Sequence, residues 1–180
     1  FGFLGSDVLG IQASGLDFAG PPGFGVVDPL ADDLVDKIKN VQGVEAAFNR
    51  YIVSGTLEFD DKQGIGIAAS VPMGENKDVF NRMLNLKAEE GRLLRDDDNN
   101  KVVLGYNFLD EDTIGSDIHA GDKVLVNDAS FEVVGVLEKK GSFIFDNMVI
   151  MNEDRLLDLE GDDGTTDVIA VKARSEEVVP

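Results

Sequence analysis

The sequence predicts an α+β fold: mixed sheets with hairpins and short helices. Three observations carry that prediction. Strand-like and helix-like segments follow one another without strict alternation, which argues against a doubly wound parallel sheet. Two pairs of alternating segments are joined by short polar turns and read as hairpins. Apolar residues make up 43% and charged residues 28% of 180 residues, enough for a core that needs no staples and too apolar for a disordered tail.

Each element has its own justification. Residues 7–13 read as a strand, with Val8, Leu9 and Ile11 apolar. The Gly/Pro-rich stretch 20–25 reads as a loop. It lacks the Lys-Ser/Thr of a phosphate cradle, and its prolines lack amide donors. Asp28-Pro29 predicts a helix start, with Asp as N-cap and Pro at the first position. Leu30, Leu34, Ile38 and Val41 share its inward face, and Gly43 stands at its C-terminal cap.

Val44, Ala46 and Phe48 alternate on even positions, whereas Tyr51, Val53, Leu57 and Phe59 alternate on odd ones. The phase slip at Asn49-Arg50 predicts a bulge or bend between two strand segments. A turn over 60–64 and a return strand over 65–71 complete the first hairpin. Pro72 ends that strand, and 75–84 forms a short helix with Val79, Phe80, Met83 and Leu84 inward. Residues 86–92 read as a connector, 101–104 as a buried strand and 106–113 as a single helical segment. Residues 123–127 and 131–137 form the second hairpin around 128–130. A strand over 148–151 precedes a helix capped by Asn152, with Glu153 and Asp154 favourable in its first turn. Leu156, Leu157 and Leu159 are its apolar face, Gly161 ends it, and 168–172 is the last strand.

Composition excludes several function classes. Asp and Glu number 35 against 16 Lys and Arg, a formal net charge of −19. Such a surface repels phosphate backbones and anionic headgroups, so no nucleic-acid partner is expected. The acidity reads as solubility or adaptation to a salty medium. There is no Cys, which removes disulfides, thiolate catalysis and Cys-based zinc sites. The single His119 removes any site needing two histidines from one chain. The longest strictly apolar runs are four residues, 148–151 and 168–171, too short for a bilayer-spanning helix. No basic segment precedes an apolar stretch, so no secretion signal is read. The first residue is Phe1 rather than Met, and a segment of a longer chain is expected.

No reaction centre emerges. A hydrolase triad needs only one His, but His119 lies in the polar turn 115–121 and reads as a solvated turn residue. Asp96, Asp98 and Asn100 have the spacing of the first three calcium-loop ligands. Lys101 then replaces the glycine and Asn107 the bidentate Glu, so a solvated acidic turn is the default reading. Gly161-Asp162-Asp163-Gly164 has the same two readings. Gly64-Ile65-Gly66 lies inside a hairpin and opens no helix, so it is no nucleotide fingerprint. Phe143-Ile144-Phe145, after Lys139-Lys140-Gly141-Ser142, is an apolar patch read either as core cover or as a loop interaction site. No catalytic, cofactor-binding or metal residue is named, and no cofactor is expected.

An ordered series of motifs says more. It runs from Leu4-Gly5-Ser6-Asp7-Val8-Leu9 through the helix 30–40, Gly43-Val44-Glu45-Ala46 and Gly91-Arg92. Val102-Val103-Leu104-Gly105, Ile114-Gly115 and Gly121-Asp122-Lys123-Val124 follow. Then come Val126-Asn127, the stretch 131–137, and Asp146-Asn147-Met148-Val149-Ile150-Met151. This order resembles the MacB-like periplasmic core domain of FtsX-type ABC transporter permeases. The resemblance covers nearly the whole chain. It implies a porter-like lobe over 1–88 and 148–180, with a smaller β-rich lobe inserted at 89–147. It implies a non-catalytic domain on the extracytoplasmic face of the cell membrane, in a fragment of an integral membrane protein. Its implied partners are a second permease protomer and a cytoplasmic ATPase reached through the membrane part. Its implied role is coupling ATP hydrolysis to export or handling of a peptide, lipoprotein or drug. Two other readings stand beside it: a freestanding secreted module binding a small ligand or cation at 96–100 or 161–164, and a hydrolase using His119 or a carboxylate pair.

Overall fold

The computed structural model describes residues 8–12 and 29–174. The mixed α+β class is what the structure has: several sheets and few, short helices. The larger sheet is built from β4 (Ile52–Phe59), β5 (Lys62–Val71), β6 (Ala88–Gly91), β7 (Lys101–Leu104), β8 (Lys123–Val126), β9 (Ala129–Leu137) and β10 (Met148–Asn152). Their order is β6-β9-β7-β10-β5-β4-β8, and β8 also pairs with β9. The sheet therefore closes on itself: β9, β7, β10, β5, β4 and β8 form a ring, and β6 hangs on β9 outside it. Closure removes most of the edge that an open sheet would expose. The seam between β4 and β8 is short, with partners Leu57–Val126 and Glu58–Leu125.

Strand alternation sorts the residues of this barrel. Leu57, Val102, Leu104, Phe131, Val149 and Met151 meet in one buried cluster, filled out by Phe108, Ile118 and Leu156. Their neighbours Val103, Met148 and Ile150 join a second cluster on the other face, with Phe80 and Leu84. Because both faces are covered, β7 and β10 read as near-continuous apolar runs rather than alternating ones.

A second sheet has the order β1-β12-β3, from β1 (Val8–Ile11), β12 (Val168–Ala173) and β3 (Val44–Arg50), all antiparallel. The helix α1 (Leu34–Lys39) covers one face, burying Val35 against Ala47, Ile169 and Val171. The other face puts Phe48 and Ala170 on the barrel wall. There Phe48 meets Phe80 of α2 (Glu75–Met83) edge to face, with centroids 5.7 Å apart.

The strand over 148–151, the helix over 75–84 and both hairpins stand as predicted, with small shifts of boundary. Other expectations are corrected. The helix placed at Asp28-Pro29 begins only at Leu34, because Leu30–Ala31 forms β2 and pairs with β11 (Thr165–Thr166). Asp28 and the loop 20–25 lie outside the described residues. Val41, expected inward, is exposed. The connector 86–92 contains β6, and the helical segment at 106 is a 3₁₀ turn, Tyr106–Leu109. The first hairpin turns tightly at Asp60-Asp61 and the second at Asn127-Asp128, with positive φ at all four residues. That is the geometry two-residue hairpins require.

Candidate functional site at the junction of the two sheets

The phase slip at Asn49-Arg50 marks the place where one strand leaves the small sheet and enters the barrel. β3 ends at Arg50, β4 starts at Ile52, and Tyr51 lies between them, buried. Side chains from two distant segments clamp this crossing. Thr166 Oγ1 accepts from the Arg50 amide (3.2 Å) and lies 3.0 Å from the Arg50 carbonyl, to which its hydroxyl donates. The Ile52 amide donates to Asp167 Oδ2 at 2.8 Å. The Tyr51 amide donates to Ser70 Oγ, and its carbonyl accepts from the Ser70 amide, both at 3.0 Å. A buried backbone that changes sheets must find partners outside the ladders, and Thr166, Asp167 and Ser70 supply them.

Charged groups gather around the clamp. The Arg50 guanidinium lies 4.5 Å from the centre of the Phe80 ring, and its buried Nε has no hydrogen-bond partner among the described residues. Burial lowers the Arg50 pKa to about 10, partly opposed by Glu153. Burial lifts Glu153, the first residue of α4 (Glu153–Glu160), to about 7; Asp154 adds to this and Arg50 opposes it. Burial also pushes the Tyr51 phenol up to about 12, with Glu153 and Asp32 adding, and raises Asp167. Beside the clamp lies a cleft of about 360 Å³. Residues 51–54 form one wall, Leu156, Leu157 and Glu160 of α4 another, and Asp163, Thr165 and Asp167 the third.

The residues singled out from sequence lie elsewhere or have other work. His119 is exposed and has a carboxylate at each ring nitrogen: Nδ1 lies 3.0 Å from Glu90 Oε1 and Nε2 lies 3.2 Å from Asp117 Oδ2. These acids raise its pKa and leave neither nitrogen for a nucleophile. Asp96, Asp98 and Asn100 do not converge. Asp96 pairs with buried Lys77 at 2.7 Å, which also donates to Asn152 at 2.8 Å. Asp98 holds Arg92 through both its oxygens, and Asn100 accepts from Arg155. The Arg92 bonds hold the Asp98 carboxyl well below its ordinary range. These contacts pin the loop between β6 and β7 to the barrel. Asp162 and Asp163 accept from the amides of Gly164 and Thr165 in successive turns. Phe143 is 79% exposed on the short helix α3 (Phe143–Asp146), while Ile144 and Phe145 pack against the core. Among the described residues, no group of three or more His, Asp or Glu is arranged to hold a metal.

Residues 3–180 match the family described as the MacB-like periplasmic core domain. The chain belongs to that family. It is an extracytoplasmic domain of an ABC transporter permease of MacB type. Over 144 residues it is 28% identical to an uncharacterized ABC transporter permease of Methanocaldococcus jannaschii. That stretch is 79% of this chain and 35% of the relative, so the chain spans about a third of that protein. The fold resembles the periplasmic region of MacB from Actinobacillus actinomycetemcomitans, with a TM-score of 0.68 at 17% identity, covering 94% of this chain and 76% of that one. It also resembles the extracellular domain of the noncanonic ABC-type transporter YknZ from Gram-positive bacteria, with a TM-score of 0.64 at 15% identity over 83% and 75% of the two chains. Among the described residues of this MacB-like domain, no helix is long and apolar enough to cross a membrane.

Sequence reasoning located the crossing but missed its clamp and its cleft. The signals were present but weak. Ser70 interrupts an apolar strand, and Thr165-Thr166-Asp167 stands directly before a fully apolar one.

Proposed function

We propose that this MacB-like domain is a non-catalytic relay. It passes movement of a membrane-embedded base, driven by a cytoplasmic ATPase, to the outer barrel, and so serves export or handling of a peptide, lipoprotein or drug. A second permease protomer completes the moving unit. The observation that carries this reading is the register of the small sheet. Val8 of β1 stands opposite Lys172 of β12, so the first described strand enters and the last leaves at the same end of one sheet. A displacement applied there travels along β12 into β3 through paired backbone bonds, and from β3 into the barrel through the clamped residues 50–52. Rigid, fully bonded elements transmit such a displacement rather than absorbing it.

The division into a porter-like lobe (1–88 and 148–180) and an inserted lobe (89–147) belongs to the same proposal. It is supported by the small sheet, which draws its strands from both ends of the chain. The two lobes so drawn share the barrel, since β7 pairs with β10 and β8 pairs with β4.

The test uses the full-length permease with its ATPase in lipid nanodiscs. Ile65 is 89% exposed on β5, and this chain has no Cys, so Ile65→Cys gives one spin label per domain. The distance between labels on two protomers is expected to differ between the nucleotide-free and ATP-trapped states. The double variant Thr166→Val/Asp167→Ala is expected to shrink that difference while ATP hydrolysis continues. Identical distances in both states overturn the relay.

A further inference from the structure

We propose that β4 has an open edge at Ser54 which accepts an extended polypeptide segment bearing a basic side chain, added as a strand inside the cleft beside α4. The argument starts from the strand's period of two. Odd residues of β4 bond β5: Tyr51 pairs with Ser70, and the hairpin closes at Phe59 and Lys62. Even residues therefore turn their N–H and C=O to the opposite edge. At one end of that edge, the Thr56 amide donates to Asn127 Oδ1 (2.9 Å) and its carbonyl accepts from the Asn127 amide (3.0 Å). At the other end the Ile52 amide is capped by Asp167. Ser54 lies midway, is exposed, and is beyond the reach of β8, whose pairing starts at Leu57. Among the described residues, none bonds its amide, its carbonyl or the Ile52 carbonyl, which together form a short open ladder.

The cleft runs along this edge, and its volume of about 360 Å³ is within the range of ligand sites. An open ladder beside a cleft is how proteins capture peptides by strand addition: the backbone supplies affinity and alternate side chains supply selectivity. Val53 and Leu157 offer apolar contact to one set of side chains. Glu160 and Asp163 offer negative charge to the other, and Asn127 holds Glu160 in place through a 2.8 Å bond. Asp167, whose ionised form is disfavoured by burial, gains from a cation brought into the cleft. The charge of the cleft thus selects a basic segment over an acidic one.

Binding here needs no nucleotide, so it is tested apart from the relay. The probe is a five-residue peptide with lysine at each end and valine, threonine and valine between. It is titrated into the isotope-labelled 180-residue chain while the Ser54 amide resonance is followed. Two further peptides carry N-methyl groups on alternate residues, in the two possible registers. The Ser54 amide is expected to shift with the lysine peptide, and one methylated register is expected to bind roughly tenfold more weakly while the other binds as before. Glu160→Lys is expected to weaken the lysine peptide and to preserve the thermal midpoint, because a cation suits a helix C-terminus. Equal loss in both methylated registers, or an unmoved Ser54 amide at millimolar peptide, overturns the proposal.

Discussion

Glu153 shows how one half-buried acid makes the domain sensitive to pH. Its ordinary value is 4.5 and its folded value is about 7, with the attraction of Arg50 already included. Between those values the folded chain keeps a proton that the unfolded chain has released. Stability therefore falls as pH rises through that window and is level above it. Asp167 acts in the same direction, because burial raises it as well. Asp98 acts in the opposite one. Arg92 depresses its pKa, so its contribution is present above the ordinary carboxylate range and is lost only in strong acid. In Glu153→Gln, a neutral amide replaces the group whose ionised form is disfavoured. The variant should match the wild type at pH 4 and exceed it at pH 8, by roughly 1 kcal/mol once solvent screening is allowed for. Paired thermal melts at the two pH values measure this. A lower midpoint for the variant at pH 8 would show that Arg50 depends on the Glu153 charge more than Glu153 suffers from its burial.

At the scale of elements, the tightest constraint is where β6 lies against β9. A Cβ built on Gly135 would come within 2.2 Å of the Arg92 carbonyl and 2.9 Å of both the Arg92 amide and the Glu90 carbonyl. All three are backbone atoms, so no side chain can move aside. Gly135→Ala should cost about 2–3 kcal/mol, seen as a lowered urea midpoint. Gly10→Ala is the control: its Cβ meets Val168 at an ordinary 3.6 Å, and the midpoint should hold or rise slightly. An unchanged midpoint for Gly135→Ala would mean that β6 peels away at little cost. The sequence shows why β6 went unread. Ala88-Glu89-Glu90-Gly91 has no alternation, and it is a strand only because β9 offers it an edge. The two hairpins were legible because their apolar alternation and polar turns are local. The helix at Asp28-Pro29 was misplaced because Leu30 is claimed by Thr166, which lies far along the chain and which no local pattern reveals. The clamp was illegible for the same reason: Arg50 and Ile52 find Thr166 and Asp167 across separations of 116 and 115 residues.

At the scale of the whole molecule, charge sets a tension between the surface and the barrel. The formal net charge of −19 repels itself in the compact state. Against that stand a few attractive clusters, chiefly Lys77 with Asp96 and Arg92 and Lys101 with Asp98. Lys77 and Asp98 are buried, so salt screens these clusters less than it screens the exposed acids. Raising monovalent salt from about 0.02 M to about 0.5 M shortens the screening length from roughly 20 Å to roughly 4 Å. The repulsion should then fade while the buried pairs persist, and the thermal midpoint should rise. A basic peptide in the cleft faces the opposite dependence. Its attraction to Glu160 and Asp163 is exposed, and the same salt should weaken its binding. Melting curves and peptide titrations over one salt series separate the two effects. A midpoint that falls with salt would mean that the ion pairs pinning the loop between β6 and β7 outweigh the repulsion of the whole surface. The acidity would then serve the cleft rather than oppose the fold.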